Sequence, residues 1–96
     1  MKMNIGGAIE AAKKGKKIRR AGWNGKGMYV VYQKGYPDGI PCNANTAEAC
    51  HIEEGTLFKI QPYLIIKQPN GVFSMWAPSG NDALAEDWEA SLVNKY

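Results

Sequence analysis

The sequence predicts an α+β domain in which a short N-terminal helix, a mostly antiparallel sheet and a short C-terminal helix share one core. Three observations carry that prediction. Apolar residues recur at helical spacing near the N-terminus, where Ile5, Ala8, Ile9 and Ala12 stand at i, i+3, i+4 and i+7. From Lys17 onward, short runs of β-branched and aromatic residues are separated by Gly, Pro and Asn turn signals, of which Pro69-Asn70-Gly71 is the clearest. A length of 96 residues suits one domain, taken as 1–96.

The elements follow in order. Residues 4–14 form a helix that Asn4 caps, Lys13 and Lys14 complement at its negative end, and Gly15 stops. Gly6 and Gly7 weaken it by up to about 1 kcal/mol each, so tertiary packing has to hold it. Residues 17–20 make the first strand, with Ile18 and Arg20 on one face. An arginine on the core side needs a partner, either an acid from the C-terminal half or a ligand. Residues 22–27 are a glycine-punctuated loop with a tight Asn24-Gly25 turn, and residues 28–33 a strand apolar on both faces. Residues 35–55 are rich in Gly, Pro, Asn and Ala, with weak periodicity, and read as a long loop. Strands at 57–60 and 63–68 come next, and the Pro69-Asn70-Gly71 turn returns the chain antiparallel over 72–76. Ser79 caps a helix over 81–86 with Asp82 placed to reach back, and Asp87-Trp88-Glu89 makes the last strand.

Composition narrows the function. Ile, Leu, Val and Phe number 18 of 96 residues, near the boundary of roughly 20% below which highly charged chains are disordered. Twelve Met, Trp and Tyr residues and a net charge of only +3 argue instead for a folded chain with a thin core. Oligomerisation is a common remedy for such a core. No apolar run approaches the roughly 18 residues of a membrane span, and none follows Lys2 as in an export signal, so a cytosolic location is expected. Cys42 and Cys50 are then free thiols. Residues 1–34 hold nine Lys or Arg against Glu10 alone, whereas residues 35–96 hold eight acids against three Lys. That asymmetry fits a polyanionic partner, or two halves that fold against each other.

Two segments carry chemistry. Around the first loop, Arg19, Arg20, Trp23 and Asn24 lie within six residues. Together they can stack a base, hold a phosphate and hydrogen-bond a ribose. Trp23 has a second role open to it, as a core plug. In the second segment, Trp76 leads to Ser79, Gly80 and Asp82, where a helix start offers N–H groups to an anion and Asp82 can accept from ribose hydroxyls. Here the alternative is plain helix capping by Ser79 and Asp82, and the two roles can coexist. Glu86 and Asp87 are neighbours that point apart. His51, Cys42 and Cys50 lack the spacing of a zinc site. Nothing pairs a nucleophile with a base, so no cofactor, metal or catalysis is implied. The residues support a binding module for something anionic and aromatic, a nucleotide or a nucleic acid.

The run from Asn4-Ile5-Gly6 to Arg19-Arg20-Ala21-Gly22-Trp23-Asn24-Gly25-Lys26-Gly27-Met28 resembles a family of small phage and prophage proteins. So do Gln61-Pro62-Tyr63 and the stretch from Trp76-Ala77-Pro78-Ser79 to Asp82-Ala83-Leu84-Ala85-Glu86-Asp87-Trp88. The family is the Thoeris anti-defence proteins of the second type, formerly a domain of unknown function. The resemblance covers nearly the whole chain and is weakest over residues 35–55. It implies a sponge: a homotetramer, with pockets at subunit interfaces, that binds a cyclic ADP-ribose signal made by a TIR-domain protein. The isomer implied is of the 1''–3' glycocyclic type. Binding without cleavage, in the cytoplasm of the infected bacterium, keeps the signal from its effector. Some relatives also bind cyclic oligonucleotides. Such a ligand would stack on Trp23 and Trp76, meet Arg19, Arg20 and the Ser79-Gly80 backbone with its pyrophosphate, and bond Asn24 and Asp82 through ribose. The competing expectations are a single-stranded nucleic-acid binder and a small nucleotide-acting enzyme using Glu86, Asp87 or His51.

Overall fold

The computed structural model describes residues 2–91. The first helix, α1 (Ile5–Lys13), is capped by the Asn4 side chain, which accepts the Gly7 N–H at 2.9 Å, and it ends before Gly15 at φ +96°. Among the described residues seven strands and two further helices follow: β1 (Lys17–Arg20), β2 (Tyr29–Gln33), β3 (Tyr36–Pro41), α2 (Ala44–Cys50), β4 (Leu57–Ile60), β5 (Tyr63–Lys67), β6 (Phe73–Trp76), α3 (Gly80–Leu84) and β7 (Trp88–Ser91). Five strands form one sheet in the order β6-β5-β2-β1-β7, every neighbour antiparallel, and β3 and β4 form a separate pair. The α+β architecture with short terminal helices is therefore as the sequence predicts.

Strand alternation decides what is buried. Ile18 stands opposite Val30, and Val30 opposite Ile66, so three β-branched side chains line up across β1, β2 and β5 on one face. The small residues Ala8 and Ala12 let α1 lie close on that face. These five and Trp88 form the main core, each no more than 5% exposed. The β5–β6 turn is closed by Gln68 N–H to Val72 at 2.8 Å, with Gly71 at φ +87°. Among the described residues no helix is long and apolar enough to cross a membrane.

The stretch expected to be a long loop is the main correction. Residues 36–60 build an arm in which β3 and β4 pair antiparallel and carry α2 between them. Asn43 caps α2 by accepting the Thr46 N–H at 2.8 Å, and His51 ends it in the left-handed region at φ 58°. The arm buries Cys42 and Ala47, and neither belongs to the main core. Among the described residues the Cα radius of gyration is 15.7 Å and the longest extent 47 Å, against a radius of about 12 Å for a compact chain of this length. The last helix is also shorter than predicted, ending at Leu84.

Candidate functional site

The site grows from one strand register. On β1, Arg20 follows Ile18 at the two-residue period and so shares its face, directly opposite Trp88 on β7. The guanidinium needs a counter-charge there, and two acids supply it. Arg20 Nε donates to Asp87 Oδ1 at 2.8 Å and an Nη donates to Asp82 Oδ1 at 3.0 Å. The side chain is 23% exposed. Both carboxylates come from the C-terminal half, one of the two partners that the sequence leaves open.

Asp82 is the hub. Its N–H donates to Ser79 Oγ at 3.1 Å while its own carboxylate receives the Ser79 N–H at 3.4 Å, a reciprocal capping box at the start of α3. The same carboxylate accepts Trp23 Nε1–H at 3.4 Å, and its main-chain carbonyl accepts Trp88 Nε1–H at 2.9 Å. Asp87 meanwhile accepts the Gly22 N–H at 2.9 Å, which pins the loop that presents Trp23. A Cβ on Gly22 would press on that Asp87 oxygen at 3.0 Å.

Three tryptophans close over this network. Trp23 meets Trp88 edge to face at 5.4 Å between ring centroids and Trp76 at 6.4 Å, and Trp76 meets Trp88 at 5.8 Å. Trp76 and Trp88 belong to the two edge strands of the sheet, so their contact requires it to curl strongly. Trp88 is fully buried, whereas Trp23 and Trp76 are half-buried and pack on the core.

The electrostatics follow from the contacts. Hydrogen bonds to Asp87 and then Asp82 raise the Arg20 pKa above its ordinary value, keeping it charged. Burial pushes the Asp82 carboxyl up, but hydrogen bonds from Arg20, Ser79 and Trp23 outweigh it and hold the group below the ordinary carboxylate range. The Asp87 carboxyl is lowered chiefly by Arg20, against a smaller effect of burial, with help from the Gly22 N–H.

Of the residues predicted from sequence, Arg20, Trp23, Trp76, Ser79 and Asp82 come together, with Gly80 as the first residue of α3. Asn24 is exposed on the same loop as Trp23. Arg19 does not join them: it alternates to the other sheet face and pairs with Glu89 at 3.4 Å. Sequence reasoning left out Trp88 and weighed Asp87 only as an acid of the competing enzyme reading. The third tryptophan, and the acid pairing with a core-side arginine, were the available signals. Of the other acid-base candidates, Glu86 is exposed between α3 and β7, and His51 ends α2 on the arm; Cys42, also on the arm, donates to the Glu53 carbonyl. A separate cavity of about 330 Å³ sits at the root of the arm, lined by Tyr32, Gln33, Lys34, Gly35, Tyr36 and Tyr63.

Two comparisons bear on this arrangement. The family profile of the Thoeris anti-defense 2-like domain matches residues 3–91, from the strand bridge at Met3 to the end of β7. The protein named Thoeris anti-defense 2 from Bacillus phage SP01 is 33% identical over 88 residues, covering 92% of this chain and 93% of its own. A match that spans the tryptophan cluster, the arginine network and the arm alike shows that the chain belongs to the Thoeris anti-defense 2-like family.

Proposed function

We propose that this protein is a phage anti-defence sponge, which binds a TIR-made cyclic ADP-ribose signal and withholds it from a Thoeris effector without cleaving it. Family membership supports the anti-defence role. The observation that carries the binding reading is the pair of half-buried tryptophans, Trp23 and Trp76, held edge to face, with Trp23 tied through Asp82 to an ion-paired arginine. Aromatic faces kept partly in solvent by a rigid network are a preorganised platform for a purine.

The geometry supports a division of roles. With their rings 73° apart, one of Trp23 and Trp76 stacks the base while the other borders its edge, and the exposed Asn24 amide reaches ribose or phosphate. Arg20 already serves two carboxylates, so it acts by fixing Trp23 and α3 rather than by gripping a phosphate. Asp82 likewise spends its acceptor capacity on Arg20, Trp23 and Ser79. The remaining polar contacts come from a second subunit, in keeping with a homotetramer whose pockets lie at interfaces. Sequestration in place of turnover is supported by the two acids nearest the platform, Asp82 and Asp87. Both are ion-paired and held ionised, which suits scaffolding better than proton donation.

Calorimetric titration of the protein with the cyclic ADP-ribose isomer tests this directly. The expected result is saturable, tight binding that Trp76→Ala weakens by about 1–3 kcal/mol, the value of one stacked base. Steeply salt-dependent binding to any single-stranded oligonucleotide, without affinity for the cyclic signal, would establish the nucleic-acid reading instead.

A further inference from the structure

The arm and a lysine cluster leave the molecule at the same pole. In the main sheet Ile18 pairs with Val30 and Gln33 with Tyr63, so β2 exits and β5 enters beside the start of β1. The turn between α1 and β1 lies at that end and carries Lys13, Lys14, Lys16 and Lys17. The Trp23–Arg20–Asp82 network lies at the other end of β1. The arm, residues 36–60, holds Asp38, Glu48, Glu53 and Glu54 against Lys59, making it acidic. Of the lysines at the turn, Lys13 pairs at 4.0 Å with Glu10 of its own helix, both side chains more than half exposed.

The arm is also poorly covered. It buries Cys42 and Ala47, while Leu57 is 66% exposed, Tyr36 49% and Ile52 39%. A two-stranded sheet with so small a core is marginal by itself. An acidic, apolar-tipped arm and a basic turn on one pole are complementary to each other, and a two-fold axis at that pole would satisfy both at once.

We propose that the arm of one chain docks on the Lys13–Lys17 turn of a second copy, and the second copy's arm on the first. Glu53 and Glu54 face the lysines, and Leu57 and Ile52 are covered in the contact. The Trp88 and Asp87 side of the network, beside Arg20 at the far end of β1, stays clear of this interface. The proposal deepens the assembly part of the sponge reading and rests on it only for the existence of an oligomer; its test needs no ligand.

Two charge-reversed chains make that test: Glu53→Lys with Glu54→Lys, and Lys13→Glu with Lys14→Glu. All four side chains are exposed; the arm variant should melt like the wild type and the turn variant somewhat lower, because it loses the Glu10 pair and the favourable charge at the end of α1. Sedimentation equilibrium at physiological salt should show self-association weakened at least tenfold in each variant alone. Mixed one to one, the two should associate as strongly as the wild type, because a reversed arm then meets a reversed turn and a native arm a native turn. A variant that assembles like the wild type, a mixture that stays apart, or a monomeric wild type would each overturn the proposal. Intact assembly without affinity for cyclic ADP-ribose would overturn the sponge reading alone.

Discussion

At the scale of single residues, Asp82 ties the candidate site together: it caps α3, balances Arg20 and receives Trp23. Its pH behaviour follows. Asp82 and Asp87 both have folded-state pKa values below the ordinary carboxylate value. The stability they contribute is therefore complete above their unfolded value of about 4 and is lost as pH falls through the lower folded values. Denaturant titrations at stepped acid pH should show that decline, and Asp87→Asn should make it shallower while lowering stability near neutrality. Trp23 is a second test. Because it packs on Trp88 and the core while remaining half exposed, Trp23→Ala should reduce stability by less than the roughly 3–5 kcal/mol of a fully buried tryptophan. It should also weaken ligand binding by about 1–3 kcal/mol. A full-sized stability loss with unchanged affinity would make Trp23 a plug and nothing more. Arg20 shows how far the sequence reaches. Its parity with Ile18 reveals a core-side arginine in want of an acid, but choosing Asp82 and Asp87 needs the β1–β7 register, set by contacts about 60 to 70 residues apart.

At the scale of elements, those with a clear local pattern were legible. The α1 face, the Asn4 cap, the Pro69-Asn70-Gly71 turn and the Ser79 capping box each depend on residues within a few positions of one another. The arm was not legible, for a physical reason. In β3, Pro37, Gly39 and Pro41 interrupt the alternation, and the register with β4 shifts between Tyr36 and Ile40. Only the pairing itself reveals the strand. The capping signal for α2 was present in Asn43 but stood before a helix with few large apolar residues. Asn43→Ala should therefore cost about 1 kcal/mol and speed amide exchange in residues 44–50 more than elsewhere. Gly35 sits where the arm joins the sheet, at φ +70°, and a Cβ there would collide with the carbonyl oxygens of Ile60 and Gln61. Gly35→Ala should destabilise the fold by about 1–3 kcal/mol, read from the shift of the denaturation midpoint.

At the scale of the molecule, a thin core and a projecting arm belong together. Among the described residues six make the main core, and large apolar side chains such as Leu57, Phe73 and Met75 stand exposed. A chain built this way gains burial by assembly. Light scattering at micromolar concentration should return a tetramer, and a monomer would remove the interface that the proposed pocket requires. The central claim is sequestration, and its signature is stoichiometric: a sponge has capacity set by its pockets, an enzyme has turnover. The most direct measurement adds increasing amounts of protein to a filtrate containing the TIR-made signal, assays effector activation, and then boils the mixture and assays again. Activation should disappear at a sharp protein-to-signal ratio and return in full after boiling, because denaturation frees an unaltered ligand. Activity that stays lost after boiling, with the signal alone shown to survive the same heating, would mean the ligand had been consumed and would contradict the account.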